Sequence, residues 1–216
     1  MRHKTLALLL LAAIIPLGAC IEKDTSTTIY IRNDGTIEWA VLDQNVRSTE
    51  EDSGKRLDEE RTYMNDILGG IDRLTKGFRT LGGTSIKSVV LRDQAPFATL
   101  RSADFEHLSQ VWERALKSCQ VPHRLSLKSD GVVTTWRMAI QVDPEPESSD
   151  NCDSEAIEAL LSDSSDHLRI MLESGTFVSA AGFTITKSDT AELQDIDSDT
   201  IRTDDGWVVL SLVWRK

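Results

Sequence analysis

The chain has 216 residues, of which 40% are hydrophobic and 27% are charged, and its formal net charge is −11 at pH 7. This length is sufficient for one domain or two small ones. The excess of acidic residues repels nucleic-acid phosphates and anionic headgroups, so nucleic acid is excluded as a partner.

The first 20 residues have the pattern of a secretory signal. Arg2 and Lys4 precede an apolar run over residues 6–17, and the run ends in the sequence L-G-A-C at 17–20. A run of about 12 apolar residues is short for a membrane-spanning helix, which needs about 20. A cleaved signal is therefore favoured over the alternative, a transmembrane anchor.

Residues 17–20 resemble the lipobox of bacterial lipoproteins, in which a branched apolar residue and two small residues precede a cysteine. In that family the signal is cleaved before the cysteine, here between Ala19 and Cys20, and the thiol carries a diacylglycerol. The resemblance implies a membrane-anchored lipoprotein that faces the periplasm, with the membrane as partner through the lipid of Cys20. Because Ile21 rather than aspartate follows, it implies the outer membrane if the source is Gram-negative.

Cleavage after Ala19 removes Arg2 and Lys4, which leaves 22 basic against 35 acidic residues and a net charge of −13. Residues 20–26 are predicted to be a short lipidated tether. Residues 27–216 are predicted to form a single α+β domain, and no motif within them indicates a family. The acidic, proline-bearing segment 143–153 is a possible internal boundary.

Two cysteines, Cys119 and Cys152, remain once Cys20 is assigned to the lipid. Exported compartments are oxidising, so a disulfide between them is favoured, with two buried thiols as the alternative. The bridge would close a loop of about 34 residues and contribute about 3.8 kcal/mol in the chain-entropy model.

The first predicted element after the tether is a β-hairpin. A three-residue loop with Gly35 in the left-handed conformation pairs Ile31 with Ile37 and Ile29 with Trp39. This register places the apolar side chains on one face, so it is preferred over a two-residue loop.

Two long helices are predicted next. The first covers residues 48–77, with Ser48 and Glu51 as a capping box and with Gly69-Gly70 as a kink or break. Its apolar stripe consists of Leu57, Met64, Ile67, Leu68, Ile71, Leu74 and Phe78. The second helix is capped by Ser102, and its apolar face consists of Phe105, Leu108, Trp112, Ala115, Leu116 and Cys119.

Strands dominate the rest of the chain. Asp130-Gly131 predicts a two-residue hairpin turn in which Leu127 opposes Thr134 and Leu125 opposes Trp136. Further strands are predicted at 86–92, 97–101, 168–172, 176–185 and 207–214, and a short helix at 154–161. The order of elements predicts an α+β fold, mainly an antiparallel sheet with two or three helices packed on one face.

No nucleotide, hydrolase or metal motif is present in the sequence. The histidines His107, His123 and His167 have no cysteine or histidine at ligand spacing. Glu59 and Glu60 are adjacent on the first helix, so they are expected to point to different sides and to make a poor acid–base couple.

An acidic run, Asp195, Asp197 and Asp199, has the spacing of the first three ligands of a calcium loop. Thr200 and Gly206 stand where that loop requires glycine and a bidentate glutamate. A solvated acidic loop is therefore predicted, without a metal. The tryptophans Trp39, Trp112 and Trp136 fall on predicted core faces, so they indicate packing rather than a platform for sugars.

These observations predict a non-catalytic, lipid-anchored periplasmic module, either structural or in contact with envelope proteins, with no cofactor. Two alternatives remain. A carrier of a small or apolar ligand would need an enclosed cavity between sheet and helices, and an enzyme of unrecognised type would need a histidine beside a carboxylate in a cleft.

Overall fold

The computed structural model describes residues 21–91, 96–141, 168–194 and 207–216. These residues form two β-sheets and three helices. The helices are α1 (Ser53–Gly69), α2 (Arg73–Thr80) and α3 (Leu108–Ser118). The strands are β1 (Ile21–Ile31), β2 (Ile37–Ser48), β3 (Thr84–Leu91), β4 (Phe97–Phe105), β5 (His123–Ser129), β6 (Val133–Gln141), β7 (Leu168–Leu172), β8 (Thr176–Ala181), β9 (Phe183–Lys187), β10 (Thr190–Leu193) and β11 (Trp207–Arg215).

The large sheet has seven strands in the order β3-β4-β2-β1-β7-β10-β9, and the small sheet has four in the order β5-β6-β11-β8. Strands β1 and β7 are parallel, whereas the other paired strands are antiparallel. A mainly-sheet α+β class is therefore confirmed. The strands are divided between two sheets, with α1 and α2 packed on the large sheet and α3 packed beside β5 of the small one.

The β1–β2 hairpin has the predicted register. Ile31 pairs with Ile37 and Ile29 pairs with Trp39, and Gly35 has φ +88°. The predicted tether is wrong for residues 21–26, because Ile21 already begins β1 and pairs with Ser48. The polar residues of the expected tether alternate along a strand, which a composition-based prediction does not detect. We call the end of the large sheet where β1 begins its N-terminal end, and the opposite end, with the Gly35 turn, its hairpin end.

The predicted helix over 48–77 is two helices. Gly70, with φ +65°, ends α1, so the predicted break is confirmed. The predicted capping box is wrong, because Ser48 belongs to β2 and Asp52 caps α1 by accepting a hydrogen bond from the Lys55 amide at 2.9 Å. The stripe is only partly buried. Ile67, Leu74 and Phe78 lie in the core, whereas Leu57, Leu68 and Ile71 are exposed.

Helix α3 begins later than predicted. Ser102 lies within β4, where it pairs with Ala40 of β2, so it does not cap the helix. The residue before α3 is His107, whose side chain makes no capping hydrogen bond. The predicted apolar face is largely correct, since Leu108, Ala115, Leu116 and Cys119 are buried and Trp112 packs against the core.

The β5–β6 hairpin has a longer turn than predicted. Leu127 pairs with Trp136 and Leu125 with Met138, which is a shift of two residues from the predicted register. The Asp130 carboxylate accepts hydrogen bonds from the Val132 and Val133 amides. A shift of two keeps every side chain on the same face, so the hydrophobic pattern alone does not distinguish these registers.

The predicted strand over 176–185 is two strands in different sheets, β8 and β9, separated at Gly182 with φ +73°. Strand β10 was not predicted. The predicted strand over 207–214 is confirmed as β11, which lies between β6 and β8. The predicted helix at 154–161 and the possible boundary at 143–153 lie outside the described residues.

One face of the large sheet, the inner face, packs against the helices and the small sheet. It carries Ile29, Trp39 and Ala103 in one cross-strand row, and the core cluster extends to Trp136 of the small sheet. The other face, the open face, carries residues such as Tyr30 and Leu100, which are 39% and 37% exposed.

Candidate functional site

A group of buried charged and polar side chains lies on the inner face near the N-terminal end of the large sheet. Its centre is Asp43 of β2, which is fully buried. Arg101 of β4 is 2% exposed and donates a hydrogen bond from Nη2 to Asp43 Oδ2. The other groups in contact with the Asp43 carboxylate are Thr25 Oγ1 at 2.7 Å, Tyr63 OH at 3.0 Å, Thr99 Oγ1 at 3.3 Å and Lys23 Nζ at 3.3 Å.

Strand alternation brings these residues together. Thr25, Asp43 and Thr99 occupy one cross-strand row over β1, β2 and β4, and Arg101 occupies the next inner-face position of β4. Because side chains alternate between faces, every second residue of each strand faces the helices. Helix α1 then supplies Tyr63 from above the row.

Arg101 also connects the sheet to α2. Its Nη1 lies 3.2 Å from Oδ1 of Asp72, the N-cap residue of α2, and the same oxygen accepts a hydrogen bond from the Thr75 amide at 3.1 Å. A carboxylate at a helix N-terminus is stabilised by the helix dipole, and a charge-assisted hydrogen bond to arginine adds to this. One guanidinium therefore holds β2 and α2 in place together.

The protonation states of the group follow from its pairing. Burial raises the pKa of Asp43, but the charges of Arg101 and Lys23, with the hydrogen bonds from Thr25 and Tyr63, outweigh it and hold the pKa below its ordinary value. Burial and the negative charge of Asp43 raise the pKa of Tyr63. Asp43 is therefore ionised and Tyr63 neutral at neutral pH.

This arrangement is suited to structure rather than to chemistry on a substrate. The Asp43 carboxylate faces its partners from β1, β4 and α1, and neither it nor Arg101 is accessible to a ligand at the surface. Loss of one partner of a buried ion pair leaves the other charge buried and uncompensated, so the fold is sensitive to substitution of either residue. The group therefore fixes how α1 and α2 sit on the sheet.

The predicted site residues are distributed as follows. Ala19, Cys20, Cys152 and the acidic run at 195–199 lie outside the described residues. Cys119 follows the last residue of α3 and is 5% exposed. The predicted bridge between Cys119 and Cys152 stays a prediction.

The described histidines contact backbone oxygens. His107 Nδ1 lies 3.3 Å from the Gly35 carbonyl oxygen, and His123 Nδ1 lies 2.7 Å from that of Val121. His167 lies outside the described residues. Within the described ranges, no group of three or more histidine, cysteine or acidic side chains could hold a metal ion.

The side chains of Glu59 and Glu60 converge on one residue instead of pointing to different sides of the helix as predicted. Both carboxylates reach Ser48 at the end of β2, where Glu59 accepts from the hydroxyl and Glu60 from the amide at 3.1 Å. They converge because Ser48 has two donors, its backbone amide and its hydroxyl, and each carboxylate accepts from one of them. The pair therefore holds the middle of α1 against the end of β2.

The tryptophan prediction is confirmed for the core. Trp39 and Trp136 are buried, and Trp112 packs against Trp39 with ring centroids 5.8 Å apart. Trp207 is half-buried, and the guanidinium of Arg124 lies 4.7 Å from its ring centroid.

Sequence reasoning missed the Asp43–Arg101 group, although a signal was present. Both residues interrupt an apolar alternation, Asp43 after Trp39 and Val41, and Arg101 between Phe97 and Phe105. A charged residue at an inward position of a strand needs a partner in the core, so two such positions on neighbouring strands indicate a pair.

Comparison with known proteins gives little further information. No protein-family model matches the chain, and no curated protein matches it. Among solved structures, the folded domain of LppM from Mycobacterium tuberculosis, determined by NMR, aligns with a TM-score of 0.38 and 9% identity over 89% of each chain. A similarity of this size is weak and shows neither a shared fold nor a shared function. No helix in the described ranges is long and apolar enough to cross a membrane.

Proposed function

We propose that the chain is a lipid-anchored envelope protein whose folded part is a non-catalytic interaction or structural module. The lipobox-like sequence at 17–20 supports the anchor, with Cys20 as the lipidated residue. The same resemblance supports a periplasm-facing position, in the outer membrane if the source is Gram-negative.

The observation that carries the non-catalytic part is the burial of the Asp43–Arg101 group. It is the most extensive set of interacting charges in the described ranges, and its central residues are inaccessible. Catalytic acids and bases need access to a substrate, and a perturbed pKa at such a closed position is better explained by an ion-pair network.

An interaction role is supported by exposed apolar residues on and after α1. Leu57 is 59% exposed, Leu68 is 50% exposed, and Ile71 beyond the helix is 57% exposed. Leu57 and Leu68 are eleven positions apart, so they lie on the same side of the helix. Exposed apolar side chains grouped along one helix face are typical of a protein contact.

The anchor is tested by replacing the cysteine. In cells grown with a labelled fatty acid, the parent chain should carry label and fractionate with membranes, whereas Cys20→Ser should carry no label and remain unprocessed or be released. Cys119→Ser is the matched control and should keep its label. A Cys20→Ser chain that is processed and membrane-bound like the parent would contradict the proposal.

The interaction role is tested by photocrosslinking in the native envelope. A crosslinking amino acid at Leu68 should capture an envelope protein, whereas the same amino acid at Lys55, at the exposed start of α1 and on another side of the helix, should not. Equal capture at both positions, or a small ligand bound in the purified protein with no protein captured, would contradict the interaction role.

A further inference from the structure

An apolar patch lies on the open face of the large sheet, towards its N-terminal end. Leu91 is 54% exposed, Val89 is 44% exposed and Leu100 is 37% exposed, while Leu42 and Ala98 are half-buried. We call these five side chains the open-face patch.

The patch is continuous because of the strand register. Leu42, Leu100 and Val89 form one row across β2, β4 and β3, and Ala98 pairs with Leu91 in the row next closer to the N-terminal end. With neighbouring strands about 4.8 Å apart, the first row spans about 10 Å.

The patch is free of negative charge in an otherwise acidic chain. Gln44 and Glu38 of β2 mark the two limits of this region. In the cross-strand rows between them, the open-face positions of β2, β3 and β4 carry no acidic residue, and Lys87 is the one charged side chain. The nearest acidic residue on β1, Asp24, accepts a hydrogen bond from Asn45 at 2.6 Å. The surface is therefore suited to apolar or uncharged material.

The position at which β1 begins places the lipidation site, Cys20, close to the open-face patch. Cys20 directly precedes Ile21, the first residue of the strand, so no flexible linker separates the lipidation site from the sheet. Ser26 of β1 pairs with Leu42 and lies five residues from Ile21, or about 17 Å at 3.3 Å per residue. Val89 lies three strand spacings from Ser26 in the same row, so a lipid on Cys20 would keep the whole patch within about 25 Å of the bilayer surface.

We propose that the open-face patch lies against the surface of the bilayer that holds the lipid of Cys20. The proposal rests on the lipid anchor proposed above. Attachment through the first lipid makes the second contact intramolecular, so weak contacts by a few exposed leucine and valine side chains are sufficient. Zwitterionic lipid is the expected surface, because the net charge of the mature chain repels an anionic one.

The contact is tested with the lipidated mature chain in phosphatidylcholine vesicles that contain a phosphatidylcholine bearing a diazirine on its acyl chain. After illumination, mass spectrometry of peptides locates the label. Val89, Leu91 and Leu100 should carry about tenfold more label than Leu127 and Val178, since tethering concentrates lipid at the patch. Leu127 and Val178 belong to the small sheet and are 46% and 53% exposed, so they are matched in exposure.

Variants test the contribution of the patch itself. The double change Val89→Ser and Leu100→Ser should lower the label at Leu91 to that at Val178, whereas Leu127→Ser should leave it unchanged. The label at Leu91 should persist in high salt, because the patch makes an apolar contact rather than an ionic one.

Two readouts separate this proposal from the anchor. The mass of the N-terminal peptide reports whether Cys20 carries lipid, and the label map reports the contact. Lipidated protein whose patch is labelled no more than Leu127 overturns the contact and leaves the anchor intact, as does a crosslinked dimer that buries the patch. Protein without lipid on Cys20 overturns both.

Discussion

The inner face of the large sheet is built in two different ways at its two ends. At the hairpin end, Trp39 packs against Phe78 of α2 and Trp112 of α3, with ring centroids 6.1 and 5.8 Å apart. At the N-terminal end, the same face carries Asp43 and Arg101, which are buried to a similar extent. Helices cover both ends, so the difference lies in the type of contact rather than in exposure.

The comparison shows that burial alone does not determine how a position responds to substitution. Apolar contacts are non-directional, so a side chain of similar volume replaces another at a small cost in stability. A buried ion pair depends on every partner, because removing one leaves the other charged and desolvated. We therefore expect the hairpin end to tolerate exchange and the N-terminal end not to tolerate it.

The largest expected effect is that of Arg101→Met. Methionine fills much of the space of the arginine stem but leaves the Asp43 carboxylate with no guanidinium, so the free energy of unfolding should fall by about 3–5 kcal/mol. Leu74→Met, a change in the buried face of α2, should lower it by less than about 1.5 kcal/mol. Urea unfolding followed by tryptophan fluorescence measures both.

The double variant makes this comparison sharper. Asp43→Asn added to Arg101→Met removes the buried charge. The double variant should therefore lose less free energy of unfolding than the sum of the losses of the two single variants. Strict additivity, or equal losses for Arg101→Met and Leu74→Met, would show that the ion pair has no special dependence on its partner.

The second effect concerns the helix that covers the hairpin end. Cys119 follows α3 and is 5% exposed, and we propose that it is bridged to Cys152. Reduction should lower the free energy of unfolding by about 2–4 kcal/mol, because the bridge restricts the unfolded chain. Cys119→Ser should abolish the response to reductant. Two titratable thiols in freshly purified, denatured and unreduced protein would contradict the bridge.

Local patterns determined the part of the fold that was predicted. The Gly35 turn and the apolar alternation around Ile31 and Trp39 specify one register of the first hairpin, and the structure has that register. In the second hairpin, the alternation allows two registers that differ by two residues. The Asp130 carboxylate accepts hydrogen bonds from two amides of the turn and so favours the register with the longer turn, which the alternation alone does not specify.

Long-range pairing determined the part that was missed. The parallel pairing of β1 with β7 joins residues about 140 positions apart, and no local pattern specifies it. The candidate site depends on the same kind of contact, since Arg101 meets Asp43 only when β4 lies beside β2. The inward position of each charge was visible in the sequence, whereas the identity of its partner required the strand order.

The loss of folding stability at acid pH should depend on the protonation of Asp43. Its pKa in the folded protein is below its ordinary value, so its contribution is fully present above the unfolded pKa of about 3.9 and is lost as the pH falls through the folded pKa. In Asp43→Asn, the loss of stability between about pH 4 and 2 should be shallower by up to about 1.4 kcal/mol per pH unit. Leu74→Met, which exchanges one uncharged side chain for another, should have the parent slope. Identical slopes in all three proteins would contradict the assignment.

The smallest effect is expected for Tyr63→Phe, which removes a single hydrogen bond to Asp43. Because Arg101 and Thr25 still contact the carboxylate, the loss at pH 7 should be about 1 kcal/mol. The alkaline range gives the sharper readout. Burial and the charge of Asp43 raise the pKa of Tyr63 in the folded protein. Its contribution is therefore fully present below the unfolded pKa of about 10 and is lost as the pH rises towards the folded value.

Absorbance can follow this ionisation because the chain has only two tyrosines, Tyr30 and Tyr63. The phenolate step at the highest pH should coincide with unfolding of the parent, because the folded structure keeps Tyr63 neutral beside an ionised Asp43. That step should disappear in Tyr63→Phe and remain in Tyr30→Phe. If it remains in Tyr63→Phe, the hydroxyl is not held in the buried group, and the N-terminal end of the inner face is more open than its contacts indicate.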